Sequence, residues 1–312
     1  MQVPVLFIIF NKREETKRVF DVIRNQQPSQ LFVAADGPRP EKEGETETCR
    51  YVREWVLGQI DWPCEVKTLF REQNVGCGRG PSEAISWFFE HVNEGIILED
   101  DCLPNDTFFR FSAELLDRYR HNPAISIISG NNFQLVQPMP MEADYYFSLF
   151  PSSNGWATWK RSWDGFDYYI SDWPRTNRRR LAQFLFREKQ YSHWWINFFD
   201  RFYLLKPNDA WDYQFHYTCM VRKQWAVIPK ANLVKNIGYG PDATHSQDPN
   251  SYFANVPTHD MAFPLRHPAS IQRNYEADEF IQTNLFGVVD VDTRLKKFKR
   301  LIKRLIRHNQ PA

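Results

Sequence analysis

Short apolar runs that alternate with helical patterns fill the first 130 residues of the chain. Runs of β-branched and aromatic residues with almost no charge predict strands buried on both faces of a sheet. The predicted strands occupy residues 3–10, 30–35, 64–70, 95–99 and 125–129, with helices over 14–24, 41–57, 81–92 and 105–119. Strands that alternate with helices in this way form a mostly parallel, doubly wound sheet, so the sequence predicts the α/β class.

Three consecutive acids, Glu99, Asp100 and Asp101, follow the fourth apolar run. In open α/β sheets, ligands bind at the carboxyl ends of the strands. Crowded carboxylates raise one another's pKa unless a cation neutralises them, and their hard oxygens suit Mg²⁺ or Mn²⁺. The triplet therefore predicts a metal site for a phosphate-bearing substrate. Taken alone, a solvated acidic turn after a strand explains it equally well.

Two further segments are interpreted from their turn-forming residues. The glycines within residues 74–80 predict a loop that leads into the helix over 81–92. This loop matches neither a dinucleotide fingerprint nor a phosphate-binding P-loop, because it lacks both G-x-G-x-x-G directly after a strand and Gly-Lys-Ser/Thr. Residues 150–156 predict a turn, followed by a short helix over 157–163.

The net charge of +1 is unevenly distributed along the 312 residues. Residues 294–307 hold eight of the 39 Lys and Arg residues and no acid, so the remaining 31 face 38 acidic residues and leave the body at −7. An acidic body argues against nucleic acid as a substrate, since no broad basic face is available for phosphates. Apolar residues recur at helical spacing within the basic segment, which predicts an amphipathic helix that lies on a membrane surface or packs on the body.

Cysteine usage and hydropathy bear on the compartment. The five cysteines are odd in number and form no C-x-x-C pair, which favours reduced thiols in a cytosolic protein. The N-terminal residues lack the pattern of a signal peptide, and no apolar run approaches the ~20 residues of a membrane-spanning helix. We expect a cytoplasmic protein. If the basic helix lies on a membrane surface and does not pack on the body, that surface is the inner face of the membrane.

Several motifs, in one order along residues 3–250, resemble the nucleotide-sugar transferases of the GT-A fold. The pattern is most similar to N-acetylglucosaminyltransferase I and its bacterial relatives. The motifs are residues 5–12, Asp36-Gly37, Ile97-Leu-Glu-Asp-Asp101 with Pro104 and Phe108-Phe109, Phe150-Pro-Ser-Ser-Asn-Gly-Trp156, Ala210-Trp-Asp212, and Ile237-Gly-Tyr-Gly240 with Thr244-His245. The resemblance implies a single Rossmann-like GT-A domain over residues 1–290, with a nucleotide-sugar-binding half over 1–130 and an irregular acceptor half over 131–290. The basic amphipathic helix predicted from the charge pattern occupies residues 291–312.

The resemblance also implies an activity. We expect an inverting glycosyltransferase that moves a sugar from a nucleoside diphosphate donor, with UDP favoured, to a hydroxyl of a glycan or lipid-linked acceptor. Asp101 is implied as the only direct protein ligand of Mn²⁺ or Mg²⁺. Asp212 is implied as the catalytic base, since the neighbouring Trp211 can raise its pKa, although an acid in the first turn of a helix is also common for structural reasons.

The remaining predicted site residues fall into two groups. The donor-binding residues are Phe10, Asn11, Lys12, Asp36, Arg79, Glu99, Asp100 and His245. The residues of the acceptor or sugar wall are Gly155, Trp156 and Trp211.

Two other classes of protein stay open at this point. A nucleotidyl- or phosphotransferase would use the same acidic metal site and would need a basic cradle for a triphosphate near the first strand. A non-catalytic glycan-binding protein is suggested by the 16% aromatic content, but such a protein would not need both an acidic metal site and a Trp-Asp pair.

Overall fold

The computed structural model describes residues 2–134, 141–186, 188–207, 210–239 and 255–288. The strands are β1 (Val5–Ile9), β2 (Gln30–Ala35), β3 (Glu65–Phe70), β4 (Glu94–Glu99), β5 (Cys102–Pro104), β6 (Ile125–Ser129), β7 (Tyr145–Ser148), β8 (Trp156–Trp159), β9 (Trp225–Pro229) and β10 (Val234–Asn236). The helices are α1 (Arg13–Gln26), α2 (Glu45–Gly58), α3 (Gly76–His91), α4 (Thr107–Tyr119), α5 (Lys160–Trp163), α6 (Arg178–Leu185), α7 (Lys189–Leu205), α8 (Asp212–Val221) and α9 (Tyr275–Asn284).

Within the described residues, eight strands form one sheet in the order β3-β2-β1-β4-β8-β6-β9-β7. The strands β3, β2, β1 and β4 are parallel neighbours, and β6 and β9 run in the same direction. Only β8 and β7 are antiparallel to them. The prediction of an α/β fold with a mostly parallel central sheet is confirmed, and the architecture is consistent with a Rossmann-like GT-A domain.

Helices cover both faces of the sheet. The burial of β1 between two helical layers explains why its sequence is apolar without a break. Val5, Phe7 and Ile9 pack with α1, α2 and α4, whereas Leu6 and Ile8 pack with α3 and α8. Because successive side chains of a strand point to opposite faces, a strand between two helical layers has no polar face. Each fully buried side chain of this kind contributes about 1.5–3 kcal/mol.

An aromatic core occupies the irregular half of the chain. Trp173, Trp195 and Phe199 are fully buried there, together with side chains of α6, α7 and α8. Arg273 and Asp278 form an ion pair beneath this core, and both side chains are almost completely buried. The high tryptophan content of the chain therefore serves packing in large part.

The sequence-based prediction of a helix over 157–163 is wrong for residues 157–159. The segment Trp156–Trp159 is strand β8, which lies between β4 and β6 and pairs antiparallel with both. Only Lys160–Trp163 forms the short helix. Four residues carry no periodicity that separates a strand from a helix, so the two neighbouring strands determine the outcome.

The sequence-based prediction of a loop over the glycine-rich residues 74–80 is also wrong, because most of this stretch is helical. The helix α3 begins at Gly76, whose φ of +91° is available to glycine, and not at Pro81. The Asp36 carboxylate, from the end of β2, accepts hydrogen bonds from the N–H groups of Val75 and Gly76, all at 3.0 Å. A side chain distant in sequence thus satisfies the helix start, where backbone donors have no partner within the helix.

The segment after the acidic triplet also differs from the prediction. Cys102–Pro104 is a short strand that pairs antiparallel with Val234–Asn236, and the helix α4 begins only at Thr107. This pairing brings a segment from late in the chain beside Asp101.

No helix among the described residues is long and apolar enough to cross a membrane. The predicted helix over 291–312 lies outside those residues, and the division of the chain at residues 130 and 290 stays a prediction.

Candidate active site

The predicted site lies where three neighbouring parallel strands end. The strand β1 pairs with β2 on one side and with β4 on the other, with Ile8 opposite Glu99. Residues 10–12 follow β1, Asp36 follows β2, and residues 100–101 follow β4. The carboxyl ends of parallel strands share one edge of the sheet, so these residues meet at the edge where α/β proteins bind ligands.

Lys12 and the two aspartates form the centre of the site. The Lys12 Nζ lies 2.6 Å from Oδ2 of Asp101 and 3.5 Å from Oδ1 of Asp100. The other oxygen of Asp100, Oδ2, accepts a hydrogen bond of 3.0 Å from the N–H of Phe10. Three residues named from the sequence as donor-binding are thus in direct contact with one another or with Asp101.

Burial and mutual repulsion act on the protons of this cluster. Burial, followed by the charges of Asp101 and Asp100, raises the pKa of Glu99 to about 8. Burial also raises the pKa of Asp100 to about 6, against the opposing effect of the Lys12 ammonium. Burial alone would lower the pKa of Lys12, but Asp100 and Asp101 outweigh it and the net pKa lies above its ordinary value. The repulsion between the carboxylates and the raised pKa of Lys12 indicate a site that favours positive charge, whereas burial by itself disfavours charge of either sign.

Asp101 has a second neighbour in the segment after β10. The N–H of Ile237 donates to the backbone carbonyl of Asp101 at 2.8 Å. A Cβ at Gly238 would lie 2.2 Å from Oδ2 of Asp101, so only glycine allows this approach. The remaining oxygen of Asp101, Oδ1, faces the thiol of Cys102 at 3.6 Å. The start of the glycine motif predicted from residue 237 therefore lies against the acidic triplet.

Asp212 is the first residue of α8, and its side chain is exposed. Its negative charge adds to the causes that raise the pKa of Glu99, so its carboxylate lies within electrostatic reach of the triplet. More than one hundred residues separate Asp212 from the triplet in sequence, and its role as the base stays a prediction.

The predicted acceptor wall consists of core residues. Trp156 is 1% exposed and Trp211 is 5% exposed, and their rings stack at 5.6 Å between centroids with an interplanar angle of 26°. Gly155 lies at φ +63° beside Val234. The indole faces are used for packing in this conformation, and a role of these residues in an acceptor or sugar wall stays a prediction. Among the described residues, the buried Nε1 of Trp156 has no hydrogen-bond partner.

Asp36 has a structural role that the sequence did not reveal. Its carboxylate accepts hydrogen bonds from the N–H groups of Gly37, Val75 and Gly76, and so joins the end of β2 to the start of α3. Both carboxylate oxygens are engaged, so contact with a nucleoside would depend on rearrangement or on the neighbouring backbone.

Glu45 is a site residue that sequence reasoning missed. It is buried and accepts hydrogen bonds from the side-chain amide of Asn11 at 2.8 Å, from the N–H of Arg39 at 2.7 Å, and from the Arg39 guanidinium. The hydrogen bond from Arg39 holds the pKa of Glu45 below its ordinary value. Glu45 therefore fixes the turn after β1 to the turn after β2. An acid at the start of the second helix was its only signal in the sequence.

Arg79 lies at the edge of the site. Its guanidinium donates to the hydroxyl of Tyr169 at 2.7 Å and lies about 6 Å from the ring centroids of Tyr168 and Tyr169. The structure thus turns Arg79 towards two tyrosines and not towards the acidic triplet. His245, the remaining donor-binding residue, lies outside the described residues.

Within the described ranges, no group of three or more His, Cys, Asp or Glu side chains is arranged to hold a metal ion by itself. A metal at this site would need most of its ligands from elsewhere, and Asp101 as the only protein ligand stays a prediction.

Comparison with known proteins does not assign the chain to a family. No protein-family model matches it. No curated protein matches it either. Among solved structures, TarS from S. aureus is 12% identical with a TM-score of 0.36, and the match covers 54% of this chain and 30% of TarS. HddC from Yersinia pseudotuberculosis, solved in complex with GMP-PN, is 9% identical with a TM-score of 0.32, and the match covers 53% of this chain and 80% of HddC. The chain thus spans less than a third of the TarS chain, and likenesses this weak carry no argument about function.

Proposed function

We propose that this protein is an inverting glycosyltransferase. It moves a sugar from a nucleoside diphosphate donor, with UDP favoured by the sequence resemblance, to a hydroxyl of a glycan or lipid-linked acceptor. One observation carries the proposal: Lys12, Asp100 and Asp101 meet at the carboxyl edge of the sheet, with Asp212 in electrostatic reach of the same cluster. A charged site for a diphosphate and a separate carboxylate for an acceptor hydroxyl are the two parts that such a transfer needs.

Asp101 is the proposed ligand of Mn²⁺ or Mg²⁺. Its Oδ2 already accepts a hydrogen bond of 2.6 Å from the Lys12 ammonium, so this oxygen interacts with a cation. Carboxylate oxygens are also the ligands that these metals prefer. When bound, the metal would supply Lewis-acid neutralisation of the departing diphosphate. Asp100 holds the turn after β1 in place through the N–H of Phe10, which positions Lys12 at the same edge.

Asp212 is the proposed base that accepts the proton of the acceptor hydroxyl. A hydroxyl is a poor nucleophile at neutral pH, and a positioned carboxylate that removes its proton contributes a factor of roughly 10²–10⁴. The location of Asp212 in the first turn of α8, next to the buried Trp211, fixes its backbone while its carboxylate stays exposed.

The side chains near β1 do not favour the nucleotidyl- or phosphotransferase alternative. Such an enzyme would need Asn11, Lys12 and Arg13 to converge as a cradle for a triphosphate. Asn11 instead donates to Glu45, and Arg13 contacts Thr48 and Tyr51 on α2. Lys12 alone is directed at the acidic triplet.

Peripheral membrane association at the cytoplasmic face is proposed from the charge of residues 294–307. If it is correct, deletion of residues 294–312 releases the protein from vesicles that contain anionic lipid. Unchanged binding of the truncated protein would reject it.

Thermal stability with nucleoside diphosphates tests the proposed function. UDP, GDP, CDP and dTDP are added with and without Mn²⁺ to the wild type and to Asp101→Asn. A ligand at 100 times its Kd stabilises by about 2.7 kcal/mol, which is easily measured. A Mn²⁺-dependent increase in Tm with one nucleotide, lost in the variant, supports a donor site. No increase with any nucleotide rejects it and leaves a glycan-binding role to be tested by binding of oligosaccharides.

A further inference from the structure

The oxygen proposed to bind a metal is already occupied by a cation of the protein itself. The Lys12 ammonium lies 2.6 Å from Oδ2 of Asp101 and 3.5 Å from Oδ1 of Asp100. Magnesium binds carboxylate oxygens at about 2.0–2.1 Å. A divalent cation at that distance and an ammonium at its present position would be close enough to repel each other strongly.

A second contact limits the directions from which a metal could approach Oδ2 of Asp101. The backbone at Gly238 approaches the same oxygen so closely that a Cβ there would lie 2.2 Å from it. The other oxygen, Oδ1, faces the buried thiol of Cys102. A metal therefore reaches Oδ2 of Asp101 when the Lys12 side chain leaves it.

Lys12 is able to leave. Its side chain is 32% exposed, and it lies at the residue before the first turn of α1, with extended backbone angles and no side-chain cap to the helix. A lysine ammonium sits on a flexible four-carbon stem and interacts as a point charge with whichever anion is nearest. The oxygens of a diphosphate offer such an anion.

We propose that Lys12 is a tethered counter-ion that excludes divalent cations from Asp101 in the free protein. The diphosphate of the donor draws the ammonium away and opens Asp101, so the metal binds together with the nucleotide and not before it. This second step rests on the proposed function. The first step, the exclusion, does not.

Binding of Mn²⁺ without nucleotide tests the exclusion. Free Mn²⁺ is measured by electron paramagnetic resonance with metal-stripped wild type, Lys12→Met, Lys12→Arg and Lys17→Met. We expect Lys12→Met to bind one Mn²⁺ at least roughly tenfold more tightly than the wild type, since a competing charge is gone. Lys12→Arg keeps the charge and should bind as weakly as the wild type.

Lys17→Met is the matched control. It removes the same charge from α1, the helix that directly follows Lys12, but Lys17 pairs with Glu14 on the exposed surface. Its Mn²⁺ affinity should equal that of the wild type, and an equal gain in both variants would mean that net charge alone is responsible. Equal affinity of wild type and Lys12→Met overturns the exclusion.

Stability provides a second readout if Lys12→Met folds poorly. Removal of Lys12 leaves the clustered carboxylates without their ammonium, so we expect a lower Tm that Mn²⁺ raises more in this variant than in the wild type. A Tm that Mn²⁺ leaves unchanged overturns the exclusion.

The nucleotide arm separates this inference from the proposed function. Addition of the nucleotide identified by thermal stability should raise the Mn²⁺ affinity of the wild type more than that of Lys12→Met. If the nucleotide binds but does not raise the Mn²⁺ affinity of the wild type more than that of Lys12→Met, the displacement step is rejected. If no nucleotide binds while Lys12→Met still gains affinity, the proposed function is rejected and the exclusion stands.

Discussion

The indole of Trp211 stacks on the indole of Trp156, with 5.6 Å between ring centroids. Trp156 belongs to β8, which pairs with the strand that carries Glu99, and Trp211 directly precedes Asp212. The stack therefore joins the start of α8 to the sheet beneath the acidic triplet. A contact within the core thus sets the position of the proposed base relative to the proposed donor site.

Replacement of the proposed base should slow the reaction without weakening the donor complex. Asp212→Asn keeps the size of the side chain but removes its ability to accept a proton. We expect kcat to fall by roughly 10²–10⁴ while the Kd of the nucleoside diphosphate stays unchanged. Sugar transfer and nucleotide binding are measured on the same preparation, with Asp21→Asn on the exposed face of α1 as the control. A variant with wild-type turnover would exclude Asp212 as the base.

The close approach of Gly238 to Asp101 predicts a local effect of an added methyl group. Gly238→Ala places a Cβ 2.2 Å from Oδ2 of Asp101, so the segment after β10 or the Asp101 side chain must shift. We expect the affinity for the nucleotide with Mn²⁺ to fall by roughly tenfold or more, about 1.4 kcal/mol per factor of ten. Calorimetric titration measures this loss.

Gly58→Ala is the matched control for that experiment, because a Cβ at this last residue of α2 meets no atom within 4 Å. It should bind nucleotide normally and be slightly more stable, by about 0.4–1 kcal/mol. Equal binding by the two variants would contradict the contact between Gly238 and Asp101.

Acid should destabilise the protein through His216. The ring is buried against Phe150 and Trp195, and burial lowers the pKa of His216 to about 3. An unfolded histidine has a pKa of about 6.5, so the unfolded state binds the additional proton as the pH falls below that value. Stability is therefore complete above about pH 6.5 and falls as the pH decreases towards 3, by about 2 kcal/mol at pH 5.

Urea unfolding of wild type and His216→Phe at pH 7 and pH 5 measures this effect. The variant should lose about 2 kcal/mol less than the wild type between the two values, since phenylalanine takes up no proton. His121→Gln alters an exposed histidine and should follow the wild type. An identical loss in His216→Phe would mean that other groups cause the acid sensitivity.

The buried ion pair beneath the aromatic core should be costly to break. Asp278 accepts hydrogen bonds from Arg273, from the hydroxyl of Ser148 and from the N–H of Leu149. Asp278→Ala leaves the Arg273 guanidinium buried without this partner, so we expect a loss of about 3–5 kcal/mol in the free energy of unfolding.

Asp61→Ala provides the comparison, because it breaks an exposed pair with Arg24 and should cost far less than the loss of Asp278. Both values come from urea titration at neutral pH. Similar losses in the two variants would show that burial of the Arg273 pair adds nothing.

The sequence predicted the fold class because its signals are local and repeated. Each apolar run such as Val5–Ile9 is buried on both faces, and each connecting helix carries its own periodicity. A parallel sheet needs those two features in alternation, so the order of the elements determined the edge at which Asp36 and Asp101 would end their strands.

Local signals were insufficient where the partner is distant. The four residues of β8 are a strand because β4 and β6 lie on either side, and α3 begins at Gly76 because Asp36 caps it. The buried position of Trp156 follows from the same packing.

The sequence by itself determined which residues could form the site: a lysine, three acids and a Trp-Asp pair at predictable element ends. Only the tertiary structure decided which of them pair. Lys12 is separated from Asp101 by 89 positions. The ion pair between them forms because the register of β1 against β4 places the two side chains at the same edge of the sheet. Charge pairing acts through space over a few ångströms, and distance in space is the quantity that a linear sequence does not contain.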